Sequence, residues 1–196
     1  MDKALAPTSE IPADQRPINQ NWSWDRILRS PYIKQGDVIQ GLWNFIDDFS
    51  EGEKKRNFDF YEPLTVHESS LSPSVYSIIA ADLHYEDKAV ELYERTARLD
   101  LDNYNNDTDD GLHITAMTGG WLAIVHGFAG MRVSDAGELS YKPFLPKKWE
   151  SYSFRQVFRD RIIEITVDLG GAHVQLIEGD PLSIMVNGER QVLENK

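Results

Sequence analysis

Side chains able to do chemistry gather just ahead of apolar runs in this sequence. His67-Glu68-Ser69-Ser70-Leu71-Ser72 lead into Pro73 and an almost wholly apolar segment, so an imidazole, a carboxylate and several hydroxyls sit where a helix should begin. Lys34-Gln35 opens the apolar run from Ile33 to Phe49, and Gly111-Leu112-His113-Ile114-Thr115 opens the run to Phe128. A helix N-terminus carries unpaired N–H groups and the positive end of the helix dipole, and it attracts anions such as phosphate. Lys34, Gln35, His67, Ser69, Ser70, Gly111, His113 and Thr115 are therefore candidate anion-binding residues.

Each candidate has a plainer reading. Lys34 on an apolar helix could be a lysine whose stem packs while its ammonium reaches water. His113 could be a satisfied core histidine, and Ser69 and Ser70 could simply cap a helix. His84, His126 and His173 belong to no constellation and read as structural. Metal chemistry finds little support: aligning Gly111 with the glycine of an EF-hand puts Met117 where a bidentate Glu is required, and His67-Glu68 lacks the second histidine of a zincin motif. No metal site is expected. Among the tryptophans, Trp22 and Trp24 lie in a polar stretch and are the best candidates for stacking on sugar rings.

The elements that must hold these groups follow from the apolar spacing. Residues 1–32 contain Pro7, Pro12, Pro17 and Pro31, which forbid a long helix, and they read as an extended arm. Residues 33–130 alternate two kinds of helix. Ile33 to Phe49 and Val75 to Leu83 are apolar-rich, with Ser72 as N-cap and Pro73 at the first position of the latter. Between and after them, Glu51 to Leu64 starts on a Ser50-x-x-Glu53 capping box, and Tyr85 to Leu99 has one apolar stripe with Glu91/Arg95 and Glu94/Arg98 pairs on its wet side. Helices apolar all round need burial on every side, whereas striped helices need only a floor. Alternating them builds a two-layer helical toroid whose inner helices run parallel, so the three polar clusters should emerge at one mouth. From Met131 the period changes to alternation, with turns at Gly170-Gly171 and Asn187-Gly188; residues 131–196 read as a small antiparallel β module. The class is α+β.

Composition narrows the partners. A net charge of −12 over 196 residues, with no Lys/Arg run, argues against nucleic acid and anionic membranes. No stretch of about 18 apolar residues could span a bilayer. The absence of cysteine removes disulfides and thiol chemistry, and a cytoplasmic location fits.

Longer stretches carry a resemblance. Ile33-Lys-Gln-Gly-Asp37, His67-Glu-Ser-Ser-Leu-Ser-Pro73, Arg95-Thr-Ala-Arg-Leu-Asp-Leu-Asp102 and Asp110-Gly-Leu-His-Ile-Thr115 resemble glycoside hydrolase family 65, from about Ile11 onward. Asn57-Phe-Asp-Phe-Tyr-Glu-Pro63 and Asn103-Tyr-Asn-Asn-Asp107 are most similar to its maltose phosphorylases, although trehalose, kojibiose and nigerose phosphorylases share the motifs. The resemblance implies the C-terminal part of an (α/α)6 barrel followed by the family's C-terminal β module, with Met1 at an internal position of longer relatives. It implies inverting phosphorolysis of maltose by inorganic phosphate, the co-substrate, with no cofactor, and a homodimer when complete. The family's general acid, a glutamate, has no matching motif here, so the chain alone should be inactive and should need the rest of a phosphorylase. By the same resemblance Lys34 and Gln35 line the glucose and phosphate subsite, and His113, Ser69 and Ser70 contact phosphate near the Gly111 backbone. Glu68 would orient a neighbouring cation, since a phosphorylase needs no water-activating base. A non-catalytic remnant with carbohydrate or subunit binding is the alternative.

Overall fold

The protein, described by a computed structural model over residues 6–194, divides into two compact units, Met1–Ala123 and Ile124–Lys196.

The first unit opens on a string of single helical turns rather than the expected extended arm. Turns of 3-10 helix at Thr8–Glu10 and Ala13–Gln15 and helices α1 (Ile18–Asn21) and α2 (Trp24–Leu28) follow one another. Pro7, Pro12 and Pro17 each stand just before a turn, so proline divides the segment without straightening it. Ile11 and Ile18 are buried and anchor the arm.

Helix α3 (Asp37–Asn44) is shorter than its apolar run, ending at Phe45. Helix α4 (Glu51–Tyr61) starts on the expected capping box, with Ser50 and Glu53 satisfying each other's backbone N–H groups. Helix α5 (Ser72–Asp82) is buried from Ser72 to Ala81 and packs against α3 and α4. The chain then turns through His84, in the left-handed region, into α6 (Glu86–Ala97), which buries only Ala89, Val90, Leu92 and Thr96. Ser77 donates to the Ala89 carbonyl at 2.8 Å, locking α5 and α6 side by side. A short turn, α7 (Leu99–Asp102), and an acidic loop lead to α8 (Ile114–Leu122), which packs on both α5 and α6. Enclosed α5 lies between α3 and α8, with the largely polar α4 and the striped α6 packed on it, an arc of helices in two layers.

In the second unit a π-helical turn at Ala123–Phe128 is followed by seven described strands. Phe128 packs on Phe144 and Trp149, and its carbonyl accepts from the Phe144 N–H. Strands β1 (Arg132–Val133), β2 (Leu139–Tyr141), β6 (Leu182–Val186) and β7 (Glu189–Leu193) form one sheet, and β3 (Ser151–Phe158), β4 (Arg161–Asp168) and β5 (Gly171–Glu178) form the other. Alternate side chains enclose one core: Ile163, Ile165 and Val167 from β4, Leu176 from β5, Ile184 and Val186 from β6, and Leu139 and Tyr141 from β2. Asn187 and Gly188 both have positive φ, 51° and 83°, giving the expected tight hairpin. The pairing is antiparallel except between β2 and β6, which run parallel.

Candidate functional site

The lead-ins to α3 and α5 run side by side, and α8 packs on the first turn of α5 through Gly119. Ile33 donates to the Leu64 carbonyl at 2.9 Å and accepts from the Val66 N–H at 3.0 Å, which fixes the lead-in to α3 beside the lead-in to α5. A Cβ on Gly36 would fall 2.8 Å from the Tyr76 ring and 3.9 Å from Ser72 Cβ, so only glycine lets the two helix starts approach this closely. A Cβ on Gly119 would meet Ser74 Oγ at 2.7 Å and Thr96 at 3.3 Å, which sets α8 against the first turn of α5 and the end of α6. Lys34 and Gln35, just ahead of α3, are exposed, as are Gly111 and Thr115 around the start of α8.

Between α4 and α5 the segment His67 to Leu71 runs irregularly, with His67 at φ 52°. Ser72 is the first helical residue rather than the cap, and its hydroxyl lies 3.1 Å from His67 Nδ1 instead of satisfying a helix N–H. Ser69 Oγ accepts from the Leu71 N–H at 3.2 Å, and Ser69 is buried while Ser70 is half-buried. His67 lies beneath this loop, 8% exposed, against the edge of the Tyr76 ring. Burial, aided by the positive charges of Arg95 and Lys88, pushes its pKa down to about 3, so the ring is neutral. It can shape the loop but cannot offer a charge to an anion.

Glu68 acts electrostatically on Arg95, and its hydrogen bonds go to backbone. Its carboxylate accepts from the backbone N–H groups of Ile18 at 2.5 Å and Asn19 at 3.2 Å, capping α1 and tying the arm to the serine loop. Arg95 departs from the expected wet face of α6. It turns inward, donating from Nη2 to the His67 carbonyl at 2.9 Å and to Asn105 Oδ1 at 3.1 Å, with its guanidinium over Tyr104. Arg98 pairs with Asp102 at 2.7 Å rather than with Glu94. Arg95 thus joins the serine loop to the loop ahead of α8. A cavity of about 380 Å³ lies along this seam, lined by Arg16, Pro17, Val66, Glu68, Arg95, Tyr104, Asn105 and Asn106 among others. Nε2 of His67, Nε of Arg95, Nδ2 of Asn105 and Oδ1 of Asp107 are enclosed without a hydrogen-bond partner among the described residues.

His113 stands at the N-cap of α8. Asp100 Oδ1 lies 2.6 Å from its Nδ1, and both Asp100 oxygens accept from its backbone N–H, at 3.2 and 3.0 Å. Asp107 Oδ2 lies 3.7 Å from Nε2. The hydrogen bond to Asp100, with the charges of Asp107, Asp100 and Asp110, raises the imidazole pKa above its ordinary value against a smaller effect of desolvation. These neighbours favour the protonated form of His113, partly exposed at a helix start, and that form is a donor suited to an oxyanion.

Sequence reasoning missed Asp100, Arg95 and Asn105. Their roles depend on chain segments meeting in space: the spacing of Asp100 and His113 follows no helical or strand period, and Arg95 occupies a helix position that looks solvent-facing. Among the described residues no group of three or more His, Asp or Glu could hold a metal ion, and no helix is long and apolar enough to cross a membrane.

Comparison with known proteins places these features in context. Residues 1–122 match the glycosyl hydrolase family 65 central catalytic domain, and residues 131–193 match the family's C-terminal domain. The whole chain is 58% identical to maltose phosphorylase of Bacillus subtilis (strain 168), covering 26% of that protein. It is 40% identical, over 98% of its length, to the alpha,alpha-trehalose phosphorylase of Thermoanaerobacter brockii, covering 25% of it. The solved structure of a human-microbiome protein assigned as a kojibiose phosphorylase superposes with a TM-score of 0.88 at 35% identity, over 96% of this chain and 28% of that one. The chain spans about a quarter of the length of the curated relatives it matches.

Proposed function

The chain belongs to glycosyl hydrolase family 65, and on that premise we propose that it supplies the phosphate- and glucose-binding part of an inverting disaccharide phosphorylase, with maltose as the substrate. The observation that supports this reading is His113 at the start of α8 with its imidazole pKa raised by Asp100, together with the side-by-side lead-ins to α3 and α5 that carry Lys34, Gln35, Ser69 and Ser70. The 58% identity to a maltose phosphorylase, against 40% to a trehalose phosphorylase, favours maltose.

In the proposed reaction, inorganic phosphate attacks the anomeric carbon of maltose from the face opposite the departing glucose. A carboxylic acid from the remainder of a phosphorylase chain protonates the leaving oxygen, giving β-glucose 1-phosphate and glucose. Phosphate is itself the nucleophile, so no second carboxylate is needed to activate water. The residues here carry the other half of the task, holding an anion in line beside an oxocarbenium-like centre by charge and position. Lys34 and His113 supply positive charge, Ser69 and Ser70 supply hydroxyls, and the Gly111 backbone allows close approach. No cofactor is required.

Complementation tests the reading. This chain would be combined with the remaining upstream portion of the Bacillus subtilis maltose phosphorylase, and sugar phosphate release from maltose, trehalose and kojibiose would be measured. The expected result is phosphate-dependent β-glucose 1-phosphate from maltose, abolished when either piece is omitted. Product from trehalose or kojibiose alone would reassign the substrate, and a complex that folds yet forms no product from any of them would defeat the proposal.

A further inference from the structure

In a neutral imidazole one nitrogen donates and the other only accepts, and the partner of one nitrogen decides the state of the other. At His113 the fold has chosen. Asp100, one residue into α7, receives the backbone N–H of His113 with both oxygens and sits 2.6 Å from Nδ1. The main-chain bonds fix the carboxylate relative to the helix start, so the ring cannot swing away without losing its Nδ1 contact to Asp100. Because Nδ1 faces a carboxylate, a neutral ring would keep its single proton there and leave Nε2 as a lone pair. A phosphate oxygen finds no donor in a lone pair; donation from Nε2 requires the second proton.

Resting on the phosphate reading above, we propose that Asp100 is a positioning residue that keeps His113 oriented and doubly protonated, so that Nε2–H donates to phosphate. The groups facing the ring all favour the cation: Asp100 from α7, and Asp107 and Asp110 from the loop ahead of α8. Asp107 Oδ2, at 3.7 Å from Nε2, is beyond hydrogen-bond length, so the outer N–H is left to an incoming oxygen. The charge of His113 also offsets the repulsion that Asp107 and Asp110 would exert on a bound dianion.

The test is an NMR titration of the His113 imidazole in the 196-residue chain, in Asp100→Asn and in Asp100→Glu, each with and without inorganic phosphate. In the wild type His113 should titrate above the ordinary histidine value and respond to phosphate. Asp100→Asn should lower the midpoint and weaken the phosphate response about tenfold at a pH between the variant and wild-type midpoints, with recovery below both, where the ring regains its proton. A purely structural role would give no such recovery. Asp100→Glu should restore the raised midpoint, and it carries the test if the asparagine variant does not fold: a folded glutamate variant titrating at the ordinary value overturns the proposal. An unchanged midpoint and phosphate response in folded Asp100→Asn also overturns it while leaving the phosphate site intact. If phosphate moves no His113 signal in the wild type at any pH, the functional reading itself fails and takes this proposal with it.

Discussion

His67 and His113 both precede a helix, and their surroundings drive them in opposite directions. Burial against Tyr76 pushes the His67 pKa down to about 3, whereas the Asp100 hydrogen bond raises that of His113. Stability should respond to each with its own sign. Between about pH 6.5 and 3 the unfolded chain takes up a proton that native His67 refuses, so acid destabilises the fold by up to about 1.4 kcal/mol per pH unit. His113 contributes stability that is complete below about pH 6.5 and is lost as pH rises through its raised folded value. Urea midpoints at pH 6.5, 6 and 5, above most carboxylate titration, should fall for the wild type and fall less for His67→Gln; parallel lines would refute the buried neutral ring. Activity should separate the pair the other way. In a complemented phosphorylase, His113→Ala should slow phosphorolysis by roughly ten- to a hundredfold, the worth of a lost hydrogen bond to a charged group, with a small change in melting temperature. An unchanged rate would return His113 to a packing role. The sequence displays both histidines as polar residues before apolar runs; what separates them is Tyr76 in one case and Asp100 in the other, contacts that no local pattern encodes.

Among the elements, helix α4 was legible from its first four residues because a capping box is closed within one turn. Ser50 and Glu53 each satisfy the other's backbone, so Ser50→Ala should cost about 1 kcal/mol and lower the melting temperature by a few degrees while leaving phosphate binding untouched. The same reasoning misjudged α5, where Ser72 spends its hydroxyl on His67 and Ser69 serves the Leu71 N–H instead. Local chemistry proposes a cap, but a buried histidine five residues upstream claims the group. Gly119 gives a contrasting expectation. A methyl there would press on Ser74 Oγ and Cβ at 2.7 and 2.8 Å, so Gly119→Ala should destabilise by about 1–3 kcal/mol through overpacking and shift α8. The His113 signals should move in that variant and stay still in Ser50→Ala; identical spectra at His113 would show that α8 does not transmit the strain. In the β unit, Asn187-Gly188 announced its hairpin by residue type, whereas the β2–β6 pairing joins segments with no sequence signature in common.

At the scale of the molecule, the enclosed helix was readable because the segment after Pro73 is apolar nearly all round, and α5 is buried from Ser72 to Ala81. The flanking helices are not. Val38 and Phe45 at α3 are 43% and 60% exposed, and Ile114, Met117 and Trp121 on α8 are 73%, 51% and 46% exposed. Apolar surface of this kind promotes association. Sedimentation of the isolated chain should therefore show concentration-dependent self-association that Phe45→Ser with Trp121→Gln reduces; a strictly monomeric wild type at high concentration would contradict this. A different consequence lies in the second unit. Tyr141 pairs with Val186 and Ser140 with Met185, so the sheet holding β2 cannot close until β6 has been made, whereas the β3–β4–β5 meander needs only its own neighbours. During synthesis the meander can form first, leaving β2 without its parallel partner until β6 has been made. Until that moment the unit is a half-built sandwich, one sheet complete and the other still waiting for the strand that joins its two hairpins.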